Sequence, residues 1–317
     1  MTSSTIPAQT IAPEDPYADG CFGVHTALSC GRAGGLSVLA ALTAIGCVIK
    51  LVSLHKNKHD QWPHYVIFYS ALIECVIFII HWLAIYRSQM VFAAEFLAAV
   101  QVLVICHFYC SLATLVTFHD NSRFQKIGVP VLLVLLTYFT GVMIWGMVDV
   151  QPDDTECTEP HWLIFTVSEF VIIQAFLVAA IYITRKLNGI KTSVEFRRSQ
   201  QCQLWTLVVA LEVSVVTGLV YDSVSESQVG GSNCISLFKT SKSGFTVSYI
   251  FLRIFRYLIP IWAICGVFHF RGEKKAPSSE NTSSSSHLDL PWIVTEPYVS
   301  HFQSDPPTSN KEPLIPP

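Results

Sequence analysis

Long apolar blocks alternate with short polar ones along this chain, on a scale of twenty-odd residues rather than of single helical turns. Residues 131–147 and 163–183 carry almost no charge. A helix rises about 1.5 Å per residue, so about 20 apolar residues cross the hydrocarbon core of a bilayer. Seven blocks of that kind predict spans over 33–54, 65–87, 91–118, 128–148, 161–184, 203–222 and 246–270. Only a few polar residues around Ser88 separate the second and third blocks, which predicts a tight helical hairpin. The third block is longer than a span requires, so its helix is expected to run past one membrane face. The fold class this implies is all-α, an integral membrane bundle of seven transmembrane helices.

The flanks differ from the middle. Residues 1–32 are polar and rich in Ser, Thr and Pro, without the short apolar core of a cleavable signal peptide, so the first span is expected to serve as signal and anchor. Residues 271–317 hold a serine run over 278–286 and scattered prolines, too little apolar area to offset ordering entropy. The reading is an N-terminal segment over 1–32, a membrane domain over 33–270 and a disordered tail over 271–317. Composition agrees: 51% of residues are hydrophobic and 14% charged, against about 25% charged in soluble domains. The partner this demands is a lipid bilayer. A net charge of −3 gives no reason to expect nucleic acid.

Basic residues set the orientation. With the N-terminus outside, the three cytosolic loops and the tail's start carry thirteen Lys and Arg, five of them in Arg185, Lys186, Lys191, Arg197 and Arg198. The opposite side carries four: Arg32, Arg87, Lys239 and Lys242. This predicts an extracytosolic N-terminus and a cytosolic tail. On that topology Cys21, Cys30, Cys157 and Cys234 lie on the oxidising side, an even number as two disulfides need. Three pairings are open, and so are a single bridge or free thiols. In the tail, Glu312 stands before Leu314 and Ile315, which resembles an endolysosomal sorting signal, although Asn310 occupies the usual acidic position. An endolysosomal or a plasma membrane therefore fits. The serine run reads as a solvated linker or a phosphorylation target.

Ionisable residues inside spans carry the chemistry, because they are costly in lipid and turn toward the bundle interior. Glu74 and His81 are seven apart on the second span, hence on one face. Glu95, Gln101 and His107 lie on the third, Glu169 and Gln174 on the fifth, and Glu212 on the sixth. Arg253 and Arg256 lie three apart on the seventh. Depth along the helices predicts an ion pair between Glu212 and Arg256 near mid-membrane, with Glu74 as a second partner. Glu95, Glu169 and His107 are candidates for a ligand or ion site; the bland alternative is buried pairing that fixes helix register. Pro260 lacks an amide proton and is expected to kink the last span, as a hinge or a static bend.

No Gly-rich phosphate loop, Cys-x-x-Cys or His-Glu-x-x-His occurs, so no catalytic residue, cofactor or metal site is expected. Seven spans bring rhodopsin-like receptors to mind, but the third span ends Thr117-Phe118-His119-Asp120 and the seventh reads Tyr257-Leu258-Ile259-Pro260-Ile261, which are not that class's motifs. Three stretches carry another likeness. Lys50–Ser53 leads through a short basic loop to Trp62, the second and third spans form a near-loopless hairpin, and the last span reads Arg256-Tyr257-Leu258-Ile259-Pro260, then Cys265-Gly266-Val267-Phe268 and Arg271. The layout over about 35–275 resembles the orphan seven-span family of plant tobamovirus multiplication proteins and animal orphan-receptor-like lysosomal proteins. That family often has an acidic residue before its kink, where Arg256 stands here. The resemblance implies a scaffold or regulator on endolysosomal or vacuolar membranes with small GTPases as cytosolic partners. Three functional classes follow in order: an orphan receptor-like protein or scaffold recruiting cytosolic proteins, a transporter or channel using the intramembrane carboxylates, and an intramembrane enzyme.

Overall fold

The structure, a computed structural model, describes residues 27–57, 61–83, 88–118, 122–149, 160–189, 194–227 and 242–268. The bundle falls within the unit Met1–His269; the second unit, Phe270–Pro317, lies outside the described residues. Seven helices are long and apolar enough to cross a membrane. They are α1 (Ala27–Lys56), α2 (Trp62–Leu83), α3 (Ser88–Phe118), α4 (Ser122–Asp149), α5 (Pro160–Gly189), α6 (Val194–Ser227) and α7 (242–267). Each covers the core of a predicted span. No strand occurs among the described residues. Helices are the expected answer, since a backbone in lipid must satisfy its own hydrogen bonds.

Apolar residues line both the interior and the outside. On α1, Val38, Leu42, Ile45, Ile49 and Val52 form an exposed stripe at helical spacing. Lipid is as apolar as these side chains, so close fit and polar contacts, rather than exclusion from water, must hold the helices together. The close fit is visible in two clusters. Leu36 and Ala40 of α1 pack with Phe78 and Trp82 of α2 and Tyr257 of α7. Ala99 and Leu103 of α3 pack with Phe139 of α4 and Phe165 of α5. Gly146 of α4 leaves space for Phe92, since a Cβ there would lie 2.7 Å from the ring. Phe92 stacks on Trp162 of α5 with ring centroids 3.8 Å apart.

The order of packing is α1 on α2, α2 on α3, α3 on α4 and α5, α5 on α6, and α6 on α7, with α7 returning to α1. α3 is central: 56% of its spanning window is buried, against 11% for α4 at the rim. α7 and α1 run in the same direction, as an odd number of spans requires. Three contacts advance together along both helices: Trp262 Nε1 donates to Thr43 Oγ1 at 2.8 Å, Cys265 Sγ lies 3.9 Å from Cys47 Sγ, and Lys50 Nζ donates to the Phe268 carbonyl at 3.4 Å.

α7 is irregular where it meets the polar residues. An α-helical start (Lys242–Arg253) gives way to one π-helical turn (Ile254–Leu258), then to a second α-helical piece (Ile259–Val267). Pro260 explains the break. It has no N–H to offer the Arg256 carbonyl four residues earlier. That carbonyl instead accepts a 2.5 Å hydrogen bond from Ser214 Oγ of α6. A neighbouring hydroxyl thus satisfies the freed group, as tolerance of proline inside a membrane requires.

Candidate functional site: a buried arginine junction

Arg256 sits on the π-helical turn, and its guanidinium joins four helices. Nη2 lies 2.8 Å from Glu95 Oε1 of α3, and Nη1 lies 3.1 Å from Asp222 Oδ2 of α6. Nη2 also donates to Thr166 Oγ1 of α5 at 3.0 Å, and that hydroxyl donates onward to Asp222 Oδ2 at 2.5 Å. Tyr257 Oη of α7 donates to Glu95 Oε1 at 2.6 Å. The side chains of Arg256, Glu95 and Asp222 are 11%, 3% and 8% exposed, so water screens the cluster little. Gly218 of α6 gives the guanidinium its place, since a Cβ there would lie 2.8 Å from Nη1.

Arginines set over tyrosine rings lead from this junction toward the face where α1 begins. Arg256 lies over the Tyr257 ring at 5.7 Å, and Arg253 lies over Tyr257 at 5.6 Å and Tyr249 at 5.0 Å. Arg32 of α1 covers Tyr249 from 4.5 Å. The Arg253 Nη1 also donates to Tyr257 Oη at 3.1 Å. Ring faces are negative and attract cations, most strongly where water is scarce.

Two small cavities flank Arg256. The deeper one is lined by Glu74, Glu95, Gln101, Thr166, Glu169 and Ser214, among others, and offers about 20 Å³ to the centre of a water-sized sphere. The second, beside Glu95, Asp222, Arg253 and Tyr249, offers about 30 Å³. One water needs about 10–15 Å³ on that measure, so each holds a few waters at most. Among the described residues no group of three or more His, Cys, Asp and Glu is arranged to hold a metal ion.

The structure gathers Glu74, Glu95, Glu169 and Arg256 around the deeper cavity, with Arg253 at the second. Glu74 does not pair with Arg256; it accepts a 2.5 Å hydrogen bond from Gln101 Nε2. The expected pair of Glu212 with Arg256 does not form either. Both Glu212 oxygens accept from Gln174 Nε2 of α5, at 3.1 and 2.9 Å. The reason is geometric. Ser214, Gly218 and Asp222, four apart, make the stripe of α6 that faces α7, and Glu212 lies about 200° around the helix from Ser214. Side chains also lean toward their own helix N-terminus. α6 and α7 are antiparallel, so Glu212 and Arg256 lean apart although their backbones are nearly level. Asp222, farther along α6, leans back toward the arginine.

His81 is buried on the same face of α2 as Glu74, as expected, but it does not line either cavity. His107 lies away from both; its ring stands 6.5 Å from that of Trp62. Of the cysteines expected on the oxidising side, Cys30 falls in the first turns of α1, while Cys21, Cys157 and Cys234 lie outside the described residues, as do Glu312, Leu314 and Ile315. Sequence reasoning overlooked Asp222, Thr166, Ser214, Gly218 and Tyr257. The 214–218–222 spacing of small and acidic residues was the available signal.

Comparison with family models, with curated proteins and with solved structures finds no match to this chain.

Proposed function

We propose that this chain is a receptor-like seven-helix membrane protein or membrane scaffold whose arginine junction sets the arrangement of α3, α5, α6 and α7 for cytosolic proteins to read. One observation carries the reading: Arg256 ties α3, α5 and α6 to α7 at the irregular turn before Pro260. A π turn and a proline interrupt the regular α-helical hydrogen-bond ladder there, so re-pairing of one arginine is coupled to a change in helix path. The end of α5 and the start of α6 present Arg185, Lys186, Arg197 and Arg198. With the N-terminus outside, that basic corner faces the cytosol, and small GTPases are the partner class that the family resemblance suggests. The same resemblance, with Glu312, Leu314 and Ile315, favours an endolysosomal membrane. A bridge from Cys30 to Cys21, Cys157 or Cys234 belongs to the same topology.

A fluorophore on Cys202, an exposed free thiol on α6, tests the coupling. Arg256→Gln in nanodiscs is expected to shift its emission, and Glu212→Gln to leave it unchanged. Folded Arg256→Gln protein with an unshifted spectrum overturns the reading.

A second reading, proton or small-cation movement, is favoured by Glu169, which lines the deeper cavity and makes no hydrogen bond among the described residues. It predicts a pH-driven flux in liposomes that Glu169→Gln abolishes. It ranks second because each cavity admits only a few waters.

A further inference from the structure

We propose that Cys47 and Cys265 form a peroxide-sensitive dithiol, a modification site whose oxidation staples α1 to the part of α7 beyond Pro260. The two sulfurs stand 3.9 Å apart in direct contact, on helices separated by 218 positions in sequence. Both are free thiols, Cys47 buried and Cys265 half-buried. A disulfide needs about 2.05 Å between sulfurs, a closure within the reach of side-chain rotation when the backbones already run alongside each other. They do so here. Trp262 is tied to Thr43 one turn before the pair, and Phe268 to Lys50 one turn after it. These two ties hold the helices in register on both sides of the thiols, so neither helix needs to slide for the sulfurs to meet.

The position gives the pair its consequence. Arg256 and the π turn lie on one side of Pro260, and Cys265 lies on the other, in the piece Ile259–Val267. In the reduced protein only non-covalent contacts join that piece to α1 among the described residues. A covalent link there fixes the part of α7 beyond Pro260 while leaving the arginine junction untouched.

The chemistry balances with hydrogen peroxide as the oxidant. Cys265 is the more exposed sulfur and attacks first, as a thiolate. A bond forms from sulfur to one peroxide oxygen, the O–O bond breaks, and the departing hydroxide takes the proton released by Cys265 to become water. The product is a sulfenic acid on Cys265. Cys47 sulfur then attacks that sulfur, the S–O bond breaks, and hydroxide leaves with the Cys47 proton as a second water. Two thiols and one peroxide give one disulfide and two waters. A small dithiol such as dithiothreitol reverses the step by exchange.

The test uses the full chain in nanodiscs, treated with hydrogen peroxide, alkylated, digested and analysed by mass spectrometry. The expected result is a cross-linked peptide joining Cys47 to Cys265, two hydrogens lighter than its reduced parts, that disappears on adding dithiothreitol. Cys265→Ser is expected to leave Cys47 fully alkylatable after denaturation, and Cys47→Ser to stop Cys265 at the sulfenic or sulfinic stage. The proposal is overturned if Cys202, exposed on α6, is oxidised while Cys47 and Cys265 both stay alkylatable. Sulfinic Cys265 without a cross-link in the unsubstituted protein overturns it equally.

Discussion

Replacing Arg256 with methionine isolates the energetic role of the junction. Methionine keeps an unbranched apolar stem and removes the charge. Glu95 and Asp222 then remain buried, at 3% and 8% exposure, without the cation that stood 2.8 and 3.1 Å away. Removing one partner of a buried ion pair costs about 3–5 kcal/mol, because the remaining charge keeps its desolvation penalty. At 1.4 kcal/mol per factor of ten, this is roughly a hundredfold or more in the folding equilibrium. Thr166 also loses the donor it accepts from, a smaller effect of about 1 kcal/mol. Unfolding by SDS in mixed micelles measures the loss. A triple variant, Arg256→Met with Glu95→Gln and Asp222→Asn, is expected to recover more than half of it, since no buried charge is then left alone. If Arg256→Met unfolds at the wild-type SDS fraction, or if the triple variant is no more stable than the single one, the electrostatic account of this junction fails.

Four further outcomes follow, the first three from the same geometry. Gly218→Ala places a methyl group 2.8 Å from Arg256 Nη1, and the guanidinium is pinned by three groups, so a loss of about 1–3 kcal/mol is expected in the same SDS assay. Ser214→Ala strips the Arg256 carbonyl of its donor and is expected to cost about 1–3 kcal/mol; in the Pro260→Ala background, where the helix supplies its own N–H, the cost falls, and a double-mutant cycle reads the difference. A Glu212→Arg, Arg256→Glu charge swap is expected to give no rescue over the single changes, because Gln174 rather than Arg256 holds Glu212. Labelling Cys202 with an impermeant maleimide fixes the orientation when the plasma membrane is opened selectively and internal membranes stay closed; the proposal expects labelling at that step, whereas a lumenal Cys202 is labelled only once detergent opens the internal membranes.

The spans were legible because a membrane imposes one length and one composition on every crossing segment. Pro260 likewise announced an irregularity in the last span, and Glu74, Glu95, Glu169 and Arg256 announced a buried cluster by their rarity in lipid. Partner choice was not legible. Depth placed Glu212 opposite Arg256 and came close to the truth for the backbone, where Ser214, two residues on, bonds the Arg256 carbonyl. It failed for the side chains, because depth is one coordinate and pairing needs three. Rotation around α6 and the lean of each side chain toward its helix start decided for Asp222. Asp222 lies near the end of its spanning segment, Arg197–Ser223, so it reads from sequence as an edge residue. The π turn could not be read at all; it follows from how Pro260 and Ser214 meet.

The rim position of α4 has its own consequence. Lipid tails surround most of this helix, with Ile127, Val134 and Val148 turned outward. Exchanging residues there leaves the fit between helices intact, and trading an apolar residue for a polar one at either end of α4 changes the length of the surface that acyl chains meet. Drift in α4 therefore tunes the bilayer thickness in which the protein is most at ease, which sorts proteins among compartments, independently of the chemistry at Arg256.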